Sequence, residues 1–265
     1  MVTIEEYLVP ETIEAAYKLL KENRRNTVLG GGTFLSLTSK KIKTAIDLSN
    51  LGLSYIRDEG HTIEIGAMTS LRDVEVSGLM QTYFSGILSS CVKNIVGVQY
   101  RNMATVGANV YLRNGFGDMI TALLSLNAEV VLYNEGNILL NEFMHRENDR
   151  EILEKIIIPK ADVKASYNSF RNSYSDLPIL NVTVSKNCTE WKIVVGARPG
   201  TAEIALNSSK YLSESSLEEK DISHAARLAV EELKFSSDMR ASEKYRKNIC
   251  EVMVRRAIQE VLFCK

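Results

Sequence analysis

The chain has 265 residues, enough for about two domains, and its 45% hydrophobic and 25% charged residues are typical of a globular protein with a sizeable core. Its net charge of −1 offers no basic surface for a nucleic acid or an anionic membrane. No apolar run approaches the ~20 residues that span a bilayer, and the acidic N-terminus lacks the layout of a secretion signal, so we expect a cytoplasmic protein without a membrane partner.

Helix and strand patterns alternate over the first 160 residues. Ile13, Ala16, Tyr17 and Leu20 share one face of a predicted helix. The stretch from 94 to 118 is rich in Gly and Asn and shows no sustained period. The other predicted elements are strands at 27–29 and 44–48, a hairpin that turns at 59–60, helices at 71–79, 83–92 and 118–126, and strands at 128–133 and 152–159.

The pattern changes after Pro159, and we place a domain boundary near residues 160–165. Three strand-like runs, "SYNSFRNS", "LPILNVTVS" and "EWKIVVGA", predict a three-stranded antiparallel meander. Two amphipathic helices follow, one with its apolar face at 222–233 and the other at 250–261.

Two glycine-bearing loops in the first domain are candidate phosphate sites. Gly30, Gly31, Gly32 and Thr33 follow a predicted strand, and residues 105–109 read "TVGAN". Successive small residues let several backbone N–H groups approach a pyrophosphate, and hydroxyl or amide side chains can add further donors. The alternative interpretation of the first loop is a plain turn. The loop lacks the Walker A pattern. It also lacks the dinucleotide fingerprint, which would need a glycine in place of Leu35.

Asp118 begins a predicted helix just after the second loop. Its carboxylate is placed to accept a hydrogen bond from ribose hydroxyls or an adenine amine, or to cap the helix. The two roles can coexist.

The cysteines and histidines indicate no metal or cluster site. No two cysteines stand at C-x-x-C spacing, and no histidine stands beside them. We therefore predict no metal ligand and no hydrolase triad. The cysteines are Cys91, Cys188, Cys250 and Cys264, and the histidines are His61, His145 and His224.

Five segments in order resemble the FAD-binding medium subunit of the molybdenum hydroxylases, the xanthine dehydrogenase and carbon monoxide dehydrogenase flavoprotein family. The resemblance covers nearly the whole chain. The segments are "LGGGTFL" at 29–35, "IGAMTSLRDVE" at 65–75, "YRNMATVGANV" at 100–110, "GDMITALLSLNAEVVL" at 117–132 and "DMRASEKYRKNICEVMVRRAIQE" at 238–260.

This resemblance implies an α+β protein. A PCMH-type FAD-binding domain of the vanillyl-alcohol-oxidase-like fold would occupy 1–162, with subdomains at about 1–53 and 54–162 that hold FAD between them. A C-terminal α+β domain of the carbon monoxide dehydrogenase flavoprotein type would occupy 163–265. The implied FAD-binding residues are Leu29, Gly30, Gly31, Gly32, Thr33, Phe34, Leu35, Ile95, Thr105, Gly107, Ala108, Asn109, Asp118 and Leu153.

Two positions depart from the family pattern. Ala108 replaces a second glycine, so the backbone there must avoid conformations that only glycine tolerates. Asn168 lies where several relatives carry a lysine near the flavin, which leaves a contact at Asn168 open.

The resemblance also implies partners. A small [2Fe-2S] subunit and a large molybdopterin subunit would pass electrons to FAD in this chain, and NAD+ is the expected acceptor. No residue is expected to act as a catalytic acid or base. The loop at 169–177 is either a gate for the acceptor or an ordinary hairpin connection. Two alternatives remain: a free-standing flavoenzyme of the same fold that acts on a small molecule, and an assembly subunit that has lost its flavin.

Overall fold

The computed structural model describes residues 1–147 and 150–263, which form a mixed α+β structure with three sheets. The strands are β1 Thr3–Leu8, β2 Thr27–Leu29, β3 Lys41–Asp47, β4 Ile56–Asp58, β5 Thr62–Gly66, β6 Glu129–Leu132, β7 Gly136–Leu139, β8 Leu153–Pro159, β9 Lys164–Phe170, β10 Leu180–Lys186, β11 Trp191–Gly196 and β12 Glu203–Ile204. The α-helices are α1 Ile13–Glu22, α2 Leu71–Val76, α3 Gly78–Thr82, α4 Ile87–Lys93, α5 Val98–Met103, α6 Val106–Tyr111, α7 Asp118–Ser125, α8 Leu140–His145, α9 Leu206–Glu214, α10 Glu219–Glu232 and α11 Glu243–Phe263.

The first sheet is parallel, with strand order β1-β3-β2. Helix α1 crosses from β1 to β2 and begins at Thr12, whose side chain accepts a hydrogen bond from Ala15 N. Ala16 and Leu20 of α1 are buried against Ile46 of β3. The glycine-rich loop leaves the carboxyl end of β2, the edge at which open parallel sheets bind ligands.

The second sheet has five antiparallel strands in the order β4-β5-β8-β6-β7. Strand β8 lies at its centre, where Ile156 and Ile158 are completely buried. Helices α2 to α8 come from the chain between β5 and β8 and share one hydrophobic core with this sheet.

The third sheet has the antiparallel order β12-β11-β10-β9 and joins the C-terminal helices to the rest of the chain. Strand β10 is buried on both faces. Leu180, Val182 and Val184 pack in the core with α10 and α11. The opposite face is polar and meets α7, where Thr183 Oγ1 donates to Thr121 Oγ1 at 3.1 Å.

The structure confirms the predicted hairpin at 59–60, the three long C-terminal strands and both amphipathic C-terminal helices. The stretch at 94–118, expected to be irregular, contains α5 and α6, because helices of six residues are too short to show a period. A two-residue strand, β12, extends the predicted three-stranded meander to four. The elements β1, β7, α8 and α9 were also not predicted.

Two predicted helices are interrupted. The one expected at 71–79 breaks at Ser77, which has extended backbone and caps α3 through a hydrogen bond from Met80 N. The one expected at 83–92 becomes regular only at Ile87, after left-handed backbone at Phe84, Ser85 and Gly86. Within the two described ranges, no helix is both long and apolar enough to cross a bilayer.

Candidate functional site

The first glycine loop turns through left-handed backbone, with φ of +74° at Gly31 and +68° at Gly32. Only glycine adopts this conformation without strain. A Cβ atom at Gly31 would overlap the carbonyl oxygen of Met103, whereas one at Gly32 would have no protein atom within 4 Å. Gly31 therefore packs against the end of α5, and Gly32 faces open space.

The backbone N–H groups of this loop are available to a ligand. Among residues 1–147 and 150–263, none accepts a hydrogen bond from the amides of Gly30, Gly31 or Gly32. The three glycines are only partly buried, so their N–H groups can donate to water or to a bound ligand. An anion with several oxygens is the ligand that such donors suit.

The second segment, residues 105–109, uses its amides differently from our expectation. Thr105 caps α6, since its Oγ1 accepts a hydrogen bond from Ala108 N at 3.3 Å. The amides of Val106 and Gly107 donate to Thr69 O and Ala67 O at 2.9 and 2.8 Å. These N–H groups hold the start of α6 to the segment that follows β5, and they are not free for a phosphate.

The two segments nevertheless touch. A Cβ atom at Gly30 would lie 2.5 Å from Ala108 Cβ and 2.8 Å from Thr105 Oγ1, so glycine is needed for this approach. Ala108 lies inside α6 with helical backbone, and its methyl group needs no conformation reserved for glycine. This confirms the sequence expectation for Ala108.

Asn109 follows Ala108, the residue that packs against Gly30. Its Oδ1 is buried and has no hydrogen-bond partner among the described residues. A buried acceptor of this kind calls for a donor from outside the protein, such as the hydroxyl group of a ribityl chain or a ribose. The free amides of the glycine loop and this unsatisfied oxygen together fit a nucleotide that carries both phosphate and hydroxyl groups.

Asp118 does not cap its helix, because the N-cap residue is Gly117 and Asp118 is the first helical residue. Its carboxylate is buried, and the side chains that bind it among the described residues come from the C-terminal domain. Oδ2 lies 2.7 Å from Arg171 Nη2, and Oδ1 accepts hydrogen bonds from Tyr167 OH and, at 3.3 Å, from Asn181 Nδ2. Sequence reasoning missed this cluster.

The electrostatics of the cluster keep both partners of Asp118 protonated. Burial raises the pKa of Tyr167 well above its usual value, and the negative charge of Asp118 raises it further. Burial alone would lower the pKa of Arg171, but the neighbouring carboxylate outweighs this and raises it. The phenol therefore remains a donor and the guanidinium remains a cation over the physiological range.

Asn168 points away from this cluster. Successive side chains of a strand face opposite sides, so Tyr167 meets Asp118 while Asn168 meets α11. Asn168 Nδ2 donates to Glu260 Oε2 at 2.8 Å, and Ser166 Oγ donates to the same oxygen. The amide nitrogen of Asn168 is therefore bonded to the C-terminal helix.

Ile95 and Leu153 both lie in the hydrophobic core that the second sheet shares with α2 to α8, with 8% and 5% of their surface exposed. Ile95 is fixed by Arg101, whose Nη1 donates to Ile95 O at 3.0 Å. Arg101 in turn forms a two-point pair with Glu75, through Nε at 2.8 Å and Nη2 at 3.3 Å. The next residue, Val96, has φ of +50°, which is strained backbone for a β-branched side chain.

The last resemblance segment, 238–260, proves to be structural. Arg246 is completely buried on α11, and its Nη2 donates to Asp238 Oδ1 at 2.7 Å. Its other donors bind the carbonyl oxygens of Ile179, Ser236 and Ala241. Arg246 thus fixes the loop before α11 to the start of β10.

Comparison with known families agrees with this architecture. Residues 3–161 match the family described as the FAD binding domain in molybdopterin dehydrogenase, and residues 165–261 match the CO dehydrogenase flavoprotein C-terminal domain. The chain belongs to this family of FAD-binding subunits of the molybdenum hydroxylases, whose members are parts of oxidoreductases.

Named relatives span nearly the same length. The chain is 22% identical to the nicotine 6-hydroxylase medium subunit of Paenarthrobacter nicotinovorans, over 96% of each chain. It is 25% identical to subunit alpha of the 6-hydroxypseudooxynicotine dehydrogenase complex of the same organism, over 97% of this chain and 94% of the relative. Among solved structures, a chain of the Cu,Mo-CO dehydrogenase superposes with a TM-score of 0.90 at 25% identity, covering 98% of both chains.

Proposed function

We propose that this chain is the FAD-carrying electron-transfer subunit of a xanthine dehydrogenase-like molybdenum hydroxylase complex. It would pass electrons from the [2Fe-2S] clusters of a partner subunit through FAD to NAD+ or another acceptor. The observation that carries the proposal is the row of three amides at Gly30, Gly31 and Gly32 without acceptors among the described residues, in a loop that packs on Ala108, the residue before Asn109. The FAD-binding family match supplies the identity of the nucleotide.

The glycine loop would hold the pyrophosphate. Backbone amides from Leu29 to Leu35 line one side of the site, and the open space at Gly32 leaves room for phosphate oxygens. Thr33 and Phe34 continue the loop as it enters a short 3-10 helix at Leu35–Leu37. Charge-assisted hydrogen bonds from backbone amides to phosphate are among the stronger ones in proteins.

The second segment would close the site with side chains. Asn109 presents its amide, and the hydroxyl group of Thr105 can donate while its oxygen caps α6. Gly107 and Ala108 shape this wall, since Gly107 allows close contact with Ala67 and Ala108 packs on Gly30.

The remaining proposed contacts lie deeper. Ile95, fixed by Arg101, would pack near the flavin ring, and Leu153 would support it from the start of β8. Asp118 would face the nucleotide from the boundary between the proposed domains, 1–162 and 163–265, since its carboxylate meets side chains of the C-terminal domain.

FAD, when bound, accepts electrons singly or in pairs, which suits it to join one-electron clusters to a two-electron nicotinamide. This chain's residues would bind and orient it and exclude water. The names of relatives, such as "medium subunit" and "FAD-subunit", support the presence of partner chains. We assign the clusters to a small [2Fe-2S] subunit and the molybdopterin to a large subunit.

The loop at 169–177 would control the access of NAD+ to the flavin. A hydrogen bond from Arg171 to Asp176 O closes this loop, and Tyr174 at its tip is 70% exposed.

The cofactor assignment is tested by its release. The purified chain should be yellow, and its denatured supernatant should contain FAD and no FMN by chromatography. Recovery of FMN, or of a colourless protein that cannot be reconstituted with FAD, would refute the assignment.

The assignment as a subunit is tested by electron flow. Under anaerobic conditions the flavin of the lone chain should be reduced by NADH but not by purines, aldehydes or other heterocycles. Adding the two partner subunits should allow these substrates to reduce the flavin, which is seen as loss of its yellow colour. Bleaching of the lone protein by a small organic substrate would favour the free-standing flavoenzyme instead.

A further inference from the structure

Arg171 brings a positive charge from the C-terminal domain to the FAD-binding domain. It follows β9 directly, four residues beyond Tyr167, and lies beside Asp118. The side chain is only 7% exposed, and its nearest anionic group is the Asp118 carboxylate, 2.7 Å from Nη2.

The guanidinium has unused donors. Nη1 donates to Asp176 O at 2.5 Å and so closes the loop that follows β9. Nη2 lies 2.7 Å from Asp118 Oδ2 in an ion pair, and neither Nη2 nor Nε has a hydrogen-bond acceptor among the described residues. Buried guanidinium groups normally pair their N–H donors, so an edge that offers both Nε and Nη2 calls for a further acceptor.

The carboxylate of Asp118 reaches this edge only at Nη2, through Oδ2, while its Oδ1 accepts hydrogen bonds from Tyr167 and Asn181. Asn181 Oδ1 is itself buried without a partner among the described residues. The cluster therefore holds unsatisfied donors on Arg171 and an unsatisfied acceptor on Asn181, around one shared carboxylate. The planar two-donor edge of a guanidinium matches an oxyanion in geometry as well as in charge.

We propose that Arg171 is a ligand-contacting residue of the flavin nucleotide site, binding an anionic oxygen of the cofactor through its Nε–Nη2 edge. This inference rests on the proposed function, in which Asp118 borders the same nucleotide. The anionic oxygen belongs either to the pyrophosphate or to the ring of the reduced flavin, since both present an oxyanion to a cation. Asn168 cannot supply this charge, because it is neutral and is bonded to Glu260.

The experiment compares Arg171→Gln with wild type in the full chain. Fluorescence titration gives Kd for FAD and for riboflavin, and dye equilibration gives the midpoint potential of bound FAD. If Arg171 binds the pyrophosphate, Kd for FAD should rise about 10- to 100-fold while Kd for riboflavin stays constant. If it binds the reduced ring, the midpoint potential should become more negative while Kd for oxidised FAD stays constant.

The matched control is Arg198→Gln. Arg198 is another arginine of the C-terminal domain, with a side chain only 3% exposed, and its Nε also lacks an acceptor among the described residues. Both of its Nη atoms are paired, however, with Lys234 O, Thr201 O and Glu203. Its replacement should leave Kd and the potential unchanged in the folded fraction. Arg171→Lys keeps the charge opposite Asp118 and should fold. Because lysine lacks the planar edge, this variant should change the same quantity, Kd or midpoint potential, that Arg171→Gln changes, by a smaller amount.

A folded Arg171→Gln protein with wild-type Kd and wild-type potential would overturn the proposal. If that variant does not fold, a folded Arg171→Lys protein with both values unchanged overturns it equally. Failure of the wild-type chain to bind any flavin is a different result, because it would refute the proposed function.

Discussion

The two glycine-bearing segments look alike in sequence but differ in what their backbone can do. In the first, Gly30, Gly31 and Gly32 leave three N–H groups without acceptors in the described residues, and Gly32 borders open space. In the second, Val106 and Gly107 donate to the segment around Ala67. One segment is a source of backbone donors, and the other is a helix start that is hydrogen-bonded to the segment after β5.

The difference shows that glycine has two separate uses here. Gly32 is needed for conformation, with φ of +68° and no neighbour within 4 Å of a Cβ atom, whereas Gly107 is needed for space, because a Cβ atom there would lie 2.7 Å from Ala67 Cβ. Substitutions at the two positions should therefore fail in different ways.

Replacing Gly32 with valine should have the largest effect. The side chain meets no protein atom, so it would occupy the space proposed for the phosphates, and Kd for FAD should rise at least about 100-fold, ~3 kcal/mol. Left-handed backbone at valine should also lower the free energy of unfolding by ~1–2 kcal/mol. Flavin fluorescence and urea denaturation measure the two effects.

Gly60→Val is the matched control for that variant. Gly60 has φ of +80°, and a Cβ atom there would also meet nothing within 4 Å, but this glycine lies in the β4–β5 turn. The variant should show the same loss of stability with FAD binding intact. Normal binding in Gly32→Val would show that the first loop is a plain turn.

Gly107→Ala should act on stability rather than on binding. Overlap with Ala67 should lower the free energy of unfolding by ~1–3 kcal/mol, while the folded fraction binds FAD with wild-type affinity. Gly78→Ala, at the open start of α3, should be neutral. Lost affinity without lost stability in Gly107→Ala would mean that the second backbone does contact the nucleotide.

Asn109→Ala should weaken FAD binding by ~1 kcal/mol, about fivefold, without destabilising the protein, because it removes an oxygen that has no partner among the described residues. Asn26→Ala provides the comparison. Asn26 Oδ1 is also buried without a partner there, but Nδ2 donates to Leu19 O at 2.7 Å, at the far end of β2. That variant should lose ~1 kcal/mol of stability and keep its affinity. If Asn109→Ala instead loses stability and keeps its affinity for FAD, Asn109 does not belong to the site.

Thr105→Ser should have the smallest effect, a few tenths of a kcal/mol in the free energy of unfolding, because serine caps a helix as well as threonine does. Thr105→Ala removes the cap and should cost ~1 kcal/mol. Thermal denaturation followed by circular dichroism distinguishes them. Equal stability of the two variants would show that the hydrogen bond from Ala108 N contributes little.

Some motif residues could be found from the sequence but not interpreted from it. The segments that contain Glu75 and Arg101 identify the family, yet nothing in the spacing says that these side chains pair and fix Ile95 O. The same holds for Asp238 and Arg246, which join α11 to β10. Pairing between residues that are distant in sequence leaves no local periodicity, so it becomes visible only in the folded chain.

The sequence by itself determined the long strands, the amphipathic helices and the place of the glycine loop, because these follow from local periodicity and from the limits on backbone dihedral angles. Only the tertiary structure decided which amides stay free, because a donor is unpaired only when no distant segment reaches it. The same reason explains Asp118. Its position in the chain suggests a helix cap, but the fold brings Arg171 and Tyr167 from the C-terminal domain to its carboxylate.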